Sequence, residues 1–113
     1  MNTKRMSLGV ALVCAMFSMP SVHAAEHVVA QKNKSFDLEG ATIEKISVSA
    51  GDTIQFKNMD PFFHNIFSLS DLMTFDLGSY PAGESKAVTF DSPGEVEVEC
   101  AIHPEMYMVV EIK

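Results

Sequence analysis

The sequence predicts an all-β fold, a Greek-key sandwich of seven or eight short strands, on three observations. No segment sustains the 3.6-residue apolar period of an amphipathic helix. Apolar and polar residues alternate instead, over runs of a few residues. Glycine- and proline-containing turns separate those runs, with no internal repeat, low-complexity tract or linker. Short half-buried strands punctuated by turns bury their apolar faces most simply as two packed sheets.

The elements follow in order. His27 to Lys32 reads as a first strand. Ile46 and Val48 mark a second, which ends at the turn Ala50-Gly51-Asp52. Thr53 to Lys57 is a third, with Ile54 and Phe56 inward. Residues 69–84 are the least regular part: Leu72, Met73, Phe75 and Leu77 call for burial, while Gly78, Pro81 and Gly83 interrupt them. A loop with a short strand or a helical turn is expected there. Val88 and Phe90 mark the next strand, closed by the Pro93-Gly94 turn. The clearest alternation is Glu95-Val96-Glu97-Val98-Glu99-Cys100, with the valines and Cys100 on one face and three glutamates on the other. That phase aims the Cys100 sulfur inward, at the end of a strand. Met108, Val110 and Ile112 face inward from the last strand, leaving Tyr107, Val109 and Glu111 on its other side.

The first 24 residues do not fit this pattern. Lys4 and Arg5 form a basic head, Met6 to Met19 is an apolar run too short to span a bilayer comfortably, and Val22-His23-Ala24 offers a small-x-small cleavage site before Ala25. Residues 1–24 are therefore expected to be a cleaved signal peptide, and residues 25–113 a single domain with no stable membrane anchor. Val13 stands where a lipid-attachment site before Cys14 would need Gly, Ala or Ser. The leader carries two bases and no acid, so its loss takes the formal charge from −7 to −9. Such a surface argues against nucleic acid as a partner. It suits fast encounter with a basic partner, and equally simple solubility.

The domain keeps one cysteine, Cys100. An exported chain of this size usually relies on disulfides, and a lone thiol in an oxidising compartment invites an occupant. Taken alone, Cys100 reads first as an inert core residue, and His64 as a core histidine held by a backbone carbonyl. Their company changes the reading. Cys100-Ala101-Ile102-His103 is followed by Pro104, Glu105 and Met106, and His64 lies upstream after Asp60-Pro61-Phe62-Phe63. One thiolate, two imidazoles and a thioether are the donors of a blue-copper electron-transfer site. Met106 and Met108 compete for the thioether role. Met108 is in phase with the core residues of the last strand, which leaves Met106 as the ligand. Asn65 reads equally as a tie between the His64 segment and the Cys100 loop, with backbone N–H groups able to donate to the sulfur, and as an ordinary strand-end or turn residue. His27, close to the expected new N-terminus, reads as an exposed terminal histidine, with a second copper site formed with the α-amino group as the alternative.

Cys100-Ala-Ile-His103-Pro-Glu-Met106, with the upstream His64-Asn65, resembles the ligand set of the small cupredoxins of the amicyanin and plastocyanin-like type. The Cys-x-x-His-x-x-Met spacing is similar to the short ligand loop of amicyanins, whereas plastocyanin-type spacing would select Met108. Ile102 stands where many members have proline. The resemblance covers essentially the whole of residues 25–113 and implies a cupredoxin-like sandwich holding one type 1 copper ion. By that match His64, Cys100, His103 and Met106 are the ligands. It further implies a periplasmic electron carrier; the chain is expected to be a monomer. Its partners would be transient redox proteins, a cytochrome or a dehydrogenase, some members being linked to methylamine oxidation.

Entry and exit of electrons are expected at the His103 ring edge, inside an apolar patch of Pro61, Phe62, Phe63, Pro104 and Met106. The alternative function is copper binding and delivery without redox turnover. Autonomous enzyme activity is not expected: the chain has no His-x-His pair, and the loop has no second cysteine for a binuclear centre.

Overall fold

The computed structural model describes residues 24–113, so the expected signal peptide lies, but for Ala24, outside the described residues. The described chain forms nine strands and no helix. They are β1 (Glu26–Lys32), β2 (Ser35–Leu38), β3 (Ala41–Thr42), β4 (Lys45–Val48), β5 (Asp52–Asn58), β6 (Phe67–Ser68), β7 (Ser85–Phe90), β8 (Gly94–Glu99) and β9 (Tyr107–Ile112). One sheet runs in the order β3-β2-β1-β5-β7 and the other β4-β9-β8-β6. Two neighbouring pairs are parallel, β1 with β5 and β4 with β9, and the rest are antiparallel. This is the expected all-β sandwich; β3 and β6, two residues each, carry the count beyond eight.

The alternation seen in the sequence is the alternation of burial. Val29, Ile54, Phe56 and Phe90 fill the inner face of the first sheet. Val96, Val98, Met108 and Val110 fill that of the second. Side chains two residues apart along a strand share a face, so the expected inward phase of β5, β8 and β9 holds at each of these positions. Phe36 and Phe56 meet edge to face with centroids 6.3 Å apart, and Phe75 meets Phe90 in the same way at 6.1 Å.

Two expectations need correction. The hairpin strand β2 has no counterpart in the sequence reading. Its connection to β1 is the two-residue turn Asn33-Lys34, with φ of 54° at both positions. Positive φ at both central residues is the type I′ geometry, usually announced by glycine, which is missing here. The segment 69–84 contains no helical turn, and is pinned by single bridges between Phe67 and Asp76 and between His64 and Tyr80. Met73, Phe75 and Leu77 pack against the core as expected, but Leu72 stays 44% exposed. Leu72 lies over Gly94, where an added Cβ would come 2.7 Å from its Cδ2. The glycine therefore provides room for a side chain as well as a turn.

Candidate metal centre

Strand β8 ends by delivering Cys100 to the interior, and the chain must then return to β9 within six residues. Three backbone hydrogen bonds fold that return into two successive turns. His103 N–H donates to Cys100 O at 3.1 Å, Met106 N–H donates to His103 O at 2.9 Å, and Cys100 N–H donates to Met106 O at 3.1 Å. Pro104 follows His103 as the first central residue of the second turn, where its fixed φ fits. The consequence is that Cys100, His103 and Met106 crowd one end of the sandwich.

His64 comes to the same place from the other connection, between β5 and β6. Its backbone N–H donates to Tyr80 O at 3.2 Å and its carbonyl accepts from Tyr80 N–H at 2.8 Å. Asn58 closes the start of the segment, its Nδ2 donating to Phe62 O at 2.8 Å and to Tyr80 O at 3.1 Å. The turn is thus held by an amide side chain rather than by further strand pairing.

The donor atoms of His64, Cys100 and His103 lie within 4.8 Å of one another. The edges of the triangle are 3.2 Å between the two Nδ1 atoms, 3.6 Å from Cys100 Sγ to His64 Nδ1 and 3.8 Å from Sγ to His103 Nδ1. Three donors held about 2.0–2.3 Å from one ion, at angles near 110–120°, show edges of about 3.3–3.7 Å. The triangle therefore fits a metal ion. Met106 is sealed beside it, 1% exposed, with its backbone bonded to both Cys100 and His103. His64, Cys100, His103 and Met106 are positioned to bind one metal ion. Met108 is fully buried in the core, in the phase read from the sequence.

Asn65 acts as the tie, the first of its two readings. Its side-chain Oδ1 accepts from Ala101 N–H at 2.6 Å, and its own N–H donates to Cys100 Sγ at 3.4 Å. The two connections are thereby stitched across the donor cluster, and the sulfur receives a backbone donor.

Asp60 is the residue that sequence reasoning missed. It is buried, and its Oδ2 accepts from His64 Nε2–H at 2.7 Å. An ionised carboxylate only accepts, so the His64 proton sits on Nε2 and Nδ1 keeps its lone pair for a metal. Burial pushes the Asp60 carboxyl up, but hydrogen bonds from Lys34 N–H, His64 and Asn33 N–H outweigh it and hold the group below the usual range. The available signal was the spacing Asp60-x-x-x-His64, which carries little weight by itself.

The surroundings depart from expectation at two points. Phe62 meets both imidazoles at steep angles, edge to face with His64 at a centroid distance of 5.2 Å and tilted against His103 at 5.1 Å, and Phe63 is exposed beside it. Met106, expected in the surface patch, is buried, whereas Pro61 and Pro104 are exposed as expected; Met59 and Ile102 are further large apolar residues exposed on these two connections. His27 is neither free at the surface nor part of a metal cluster among the described residues. Its Nε2 meets Asp52 Oδ2 at 3.0 Å, next to Ala25 N–H, which donates to Asp52 Oδ1 at 2.9 Å.

Comparison with known proteins agrees with this architecture. Residues 25–113 match the model of the copper binding proteins of the plastocyanin/azurin family. No curated protein sequence matches the chain significantly. Among solved structures, a reduced tryptophan-to-tyrosine mutant of amicyanin is similar at 19% identity and a TM-score of 0.70, over 81% of this chain and 86% of that one. A Cu(I) methionine-to-alanine mutant of amicyanin is similar at 18% identity and a TM-score of 0.69, over 77% and 81%.

Proposed function

Because the chain belongs to the plastocyanin/azurin family of copper-binding proteins, we propose that it is a periplasmic blue-copper carrier that takes up and releases single electrons, with His64, Cys100, His103 and Met106 as the ligands. The observation that carries this reading is the convergence of two imidazole nitrogens on one buried thiol, with edges of 3.2, 3.6 and 3.8 Å. Bound there, copper supplies a one-electron Cu(I)/Cu(II) couple.

The protein's own part is to hold the donors still. Cys100 and His64 are fully buried and anchored by Asn65 and Asp60, so neither has room to rearrange when the charge of the site changes. His103 is the ligand that keeps partial exposure, which makes its ring edge the electron path to a partner. Exposed Phe63, Ile102 and Met59 offer an apolar contact surface around it, suited to brief docking with a cytochrome or dehydrogenase.

A site of this kind stores one electron and has nothing to accept a second, so the proposed role is carriage rather than catalysis. The enclosure of Cys100 and Met106 favours carriage over copper delivery, which needs ligands that an acceptor protein can reach. The test is an absorption spectrum and metal analysis of the processed protein. One copper per chain with an intense visible thiolate-to-copper band, lost in Cys100→Ser, is expected. A colourless Cu(II) adduct refutes the reading. Rapid transfer of the metal to a soluble chelator would support delivery instead.

A further inference from the structure

The buried Asp60 carboxylate has more partners than a tautomer lock requires. Oδ1 accepts from Asn33 N–H at 2.6 Å, and Oδ2 accepts from Lys34 N–H at 3.0 Å as well as from His64 Nε2–H at 2.7 Å. Its own N–H donates to Asn58 Oδ1 at 2.9 Å. Asn33 and Lys34 are the two left-handed residues of the β1–β2 turn. A lysine in that left-handed conformation is sterically unfavourable, and the carboxylate is what its N–H meets there. One side chain therefore joins the hairpin turn, the β5–β6 connection and the imidazole of His64.

We propose that Asp60 is a positioning residue of the copper centre that also sets its redox balance, holding His64 with Nδ1 directed at the metal and placing a second negative charge inside the protein beside that of Cys100. The proposal rests on the copper reading above. A neutral acceptor, such as a backbone carbonyl, would orient the ring equally well but would add no charge. A carboxylate hydrogen-bonded to a ligating histidine raises the basicity of the ring and favours the more highly charged state of whatever ion the ring holds. Low local polarity strengthens that effect, because Asp60 and His64 are both shielded from water, at 4% and 0% exposure. Asp60 thus biases the site toward the oxidised form, which makes the protein a better electron donor than the same ligands would be with a neutral partner.

The experiment uses the processed, copper-loaded protein and compares it with Asp60→Asn and Asp60→Glu. The Asn variant keeps an oxygen for His64 and removes the charge. Its visible band should persist, while the equilibrium constant for oxidation falls about tenfold or more, a rise in potential of about 59 mV per tenfold. Copper affinity should fall about 10- to 100-fold. Asp60→Glu keeps the charge on a longer arm, and its potential should rise by less than half as much as that of the Asn variant.

Nitrogen-15 NMR of the reduced wild type should place a slowly exchanging proton on His64 Nε2. An oxidation equilibrium constant within twofold of wild type in Asp60→Asn, with only a lower melting temperature, would reduce Asp60 to a turn anchor and overturn the proposal. Should the Asn variant not fold, a Glu variant whose oxidation equilibrium constant differs from wild type by about tenfold or more, or a His64 proton found on Nδ1, overturns it. Absence of the thiolate band in the wild type would instead strike at the copper reading, and the proposal would fall with it.

Discussion

Tyr80 carries a phenol to the protein interior, where its O–H donates to Gln31 Oε1 at 2.6 Å. The Gln31 amide in turn donates to Asn65 O at 3.3 Å, and Asn65 binds both the Cys100 sulfur and the Ala101 N–H. A relay of neutral side chains thus reaches from the first sheet to the donor cluster. Burial, and then the charge of Cys100, pushes the Tyr80 phenol well above its usual range, so the group stays a donor at every working pH. Removing it leaves a buried acceptor unmet, which costs about 1–3 kcal/mol, more than the net worth of one ordinary hydrogen bond. Tyr80→Phe should therefore lower the urea midpoint of the metal-free protein by that free energy divided by the denaturant slope, with the slope itself unchanged. A midpoint equal to wild type would mean that Gln31 finds another donor and that the relay is not what fixes Asn65.

Strands β5, β8 and β9 were legible in the sequence because one face of each is buried and the other is wet, and side chains alternate with a period of two. The loop ligands were legible because a strand phase aims Cys100 inward and only six residues separate it from β9. Hairpin β1–β2 was not legible: its turn lacks glycine, and only Phe36 of β2 is fully buried. Asp60 was missed for a related reason, since its partners Asn33 and Lys34 come from a turn 26–27 residues away in the chain.

The start of β1 gives the same lesson at Asp52. Its carboxylate accepts from Ala25 N–H, from His27 Nε2–H and from Ser49 N–H, fastening β1 to the β4–β5 turn. The His27 hydrogen bond, followed by those from Ser49 and Ala25, lowers the Asp52 carboxyl from 3.8 to about 2. A carboxyl depressed in the folded state stabilises it fully above its unfolded value, and that contribution is lost as pH falls toward the folded one. The metal-free protein should lose stability between about pH 4 and pH 2, and Asp52→Asn should show a shallower decline across that window when urea midpoints are followed against pH. Equal slopes in the two proteins would mean that Asp52 keeps its bonds in the unfolded chain or never makes them in solution.

At the scale of the whole molecule, the sandwich presents two unlike regions. One end gathers the donor cluster and a rim of exposed apolar residues, Met59, Phe63 and Ile102. The outer face of the second sheet carries Glu95, Glu97, Glu99 and Glu111, against which Lys45 stands 3.8 Å from Glu95 and 3.4 Å from Glu111. Exposed ion pairs of that sort add little stability, so the face matters as a field rather than as a brace. With a formal charge of −7 before any processing, that field reaches the His103 edge whenever salt does not screen it. The screening length shrinks from about 30 Å at 0.01 M salt to about 8 Å at 0.15 M. Oxidation of the reduced, copper-loaded protein by a small cationic cobalt(III) complex should therefore slow as salt rises over that range, and oxidation by anionic ferricyanide should quicken. Stopped-flow growth of the visible band measures both. Rates insensitive to salt for the two oxidants would place the acidic face too far from the electron path to steer anything, and a physiological partner would then be chosen by the apolar rim alone.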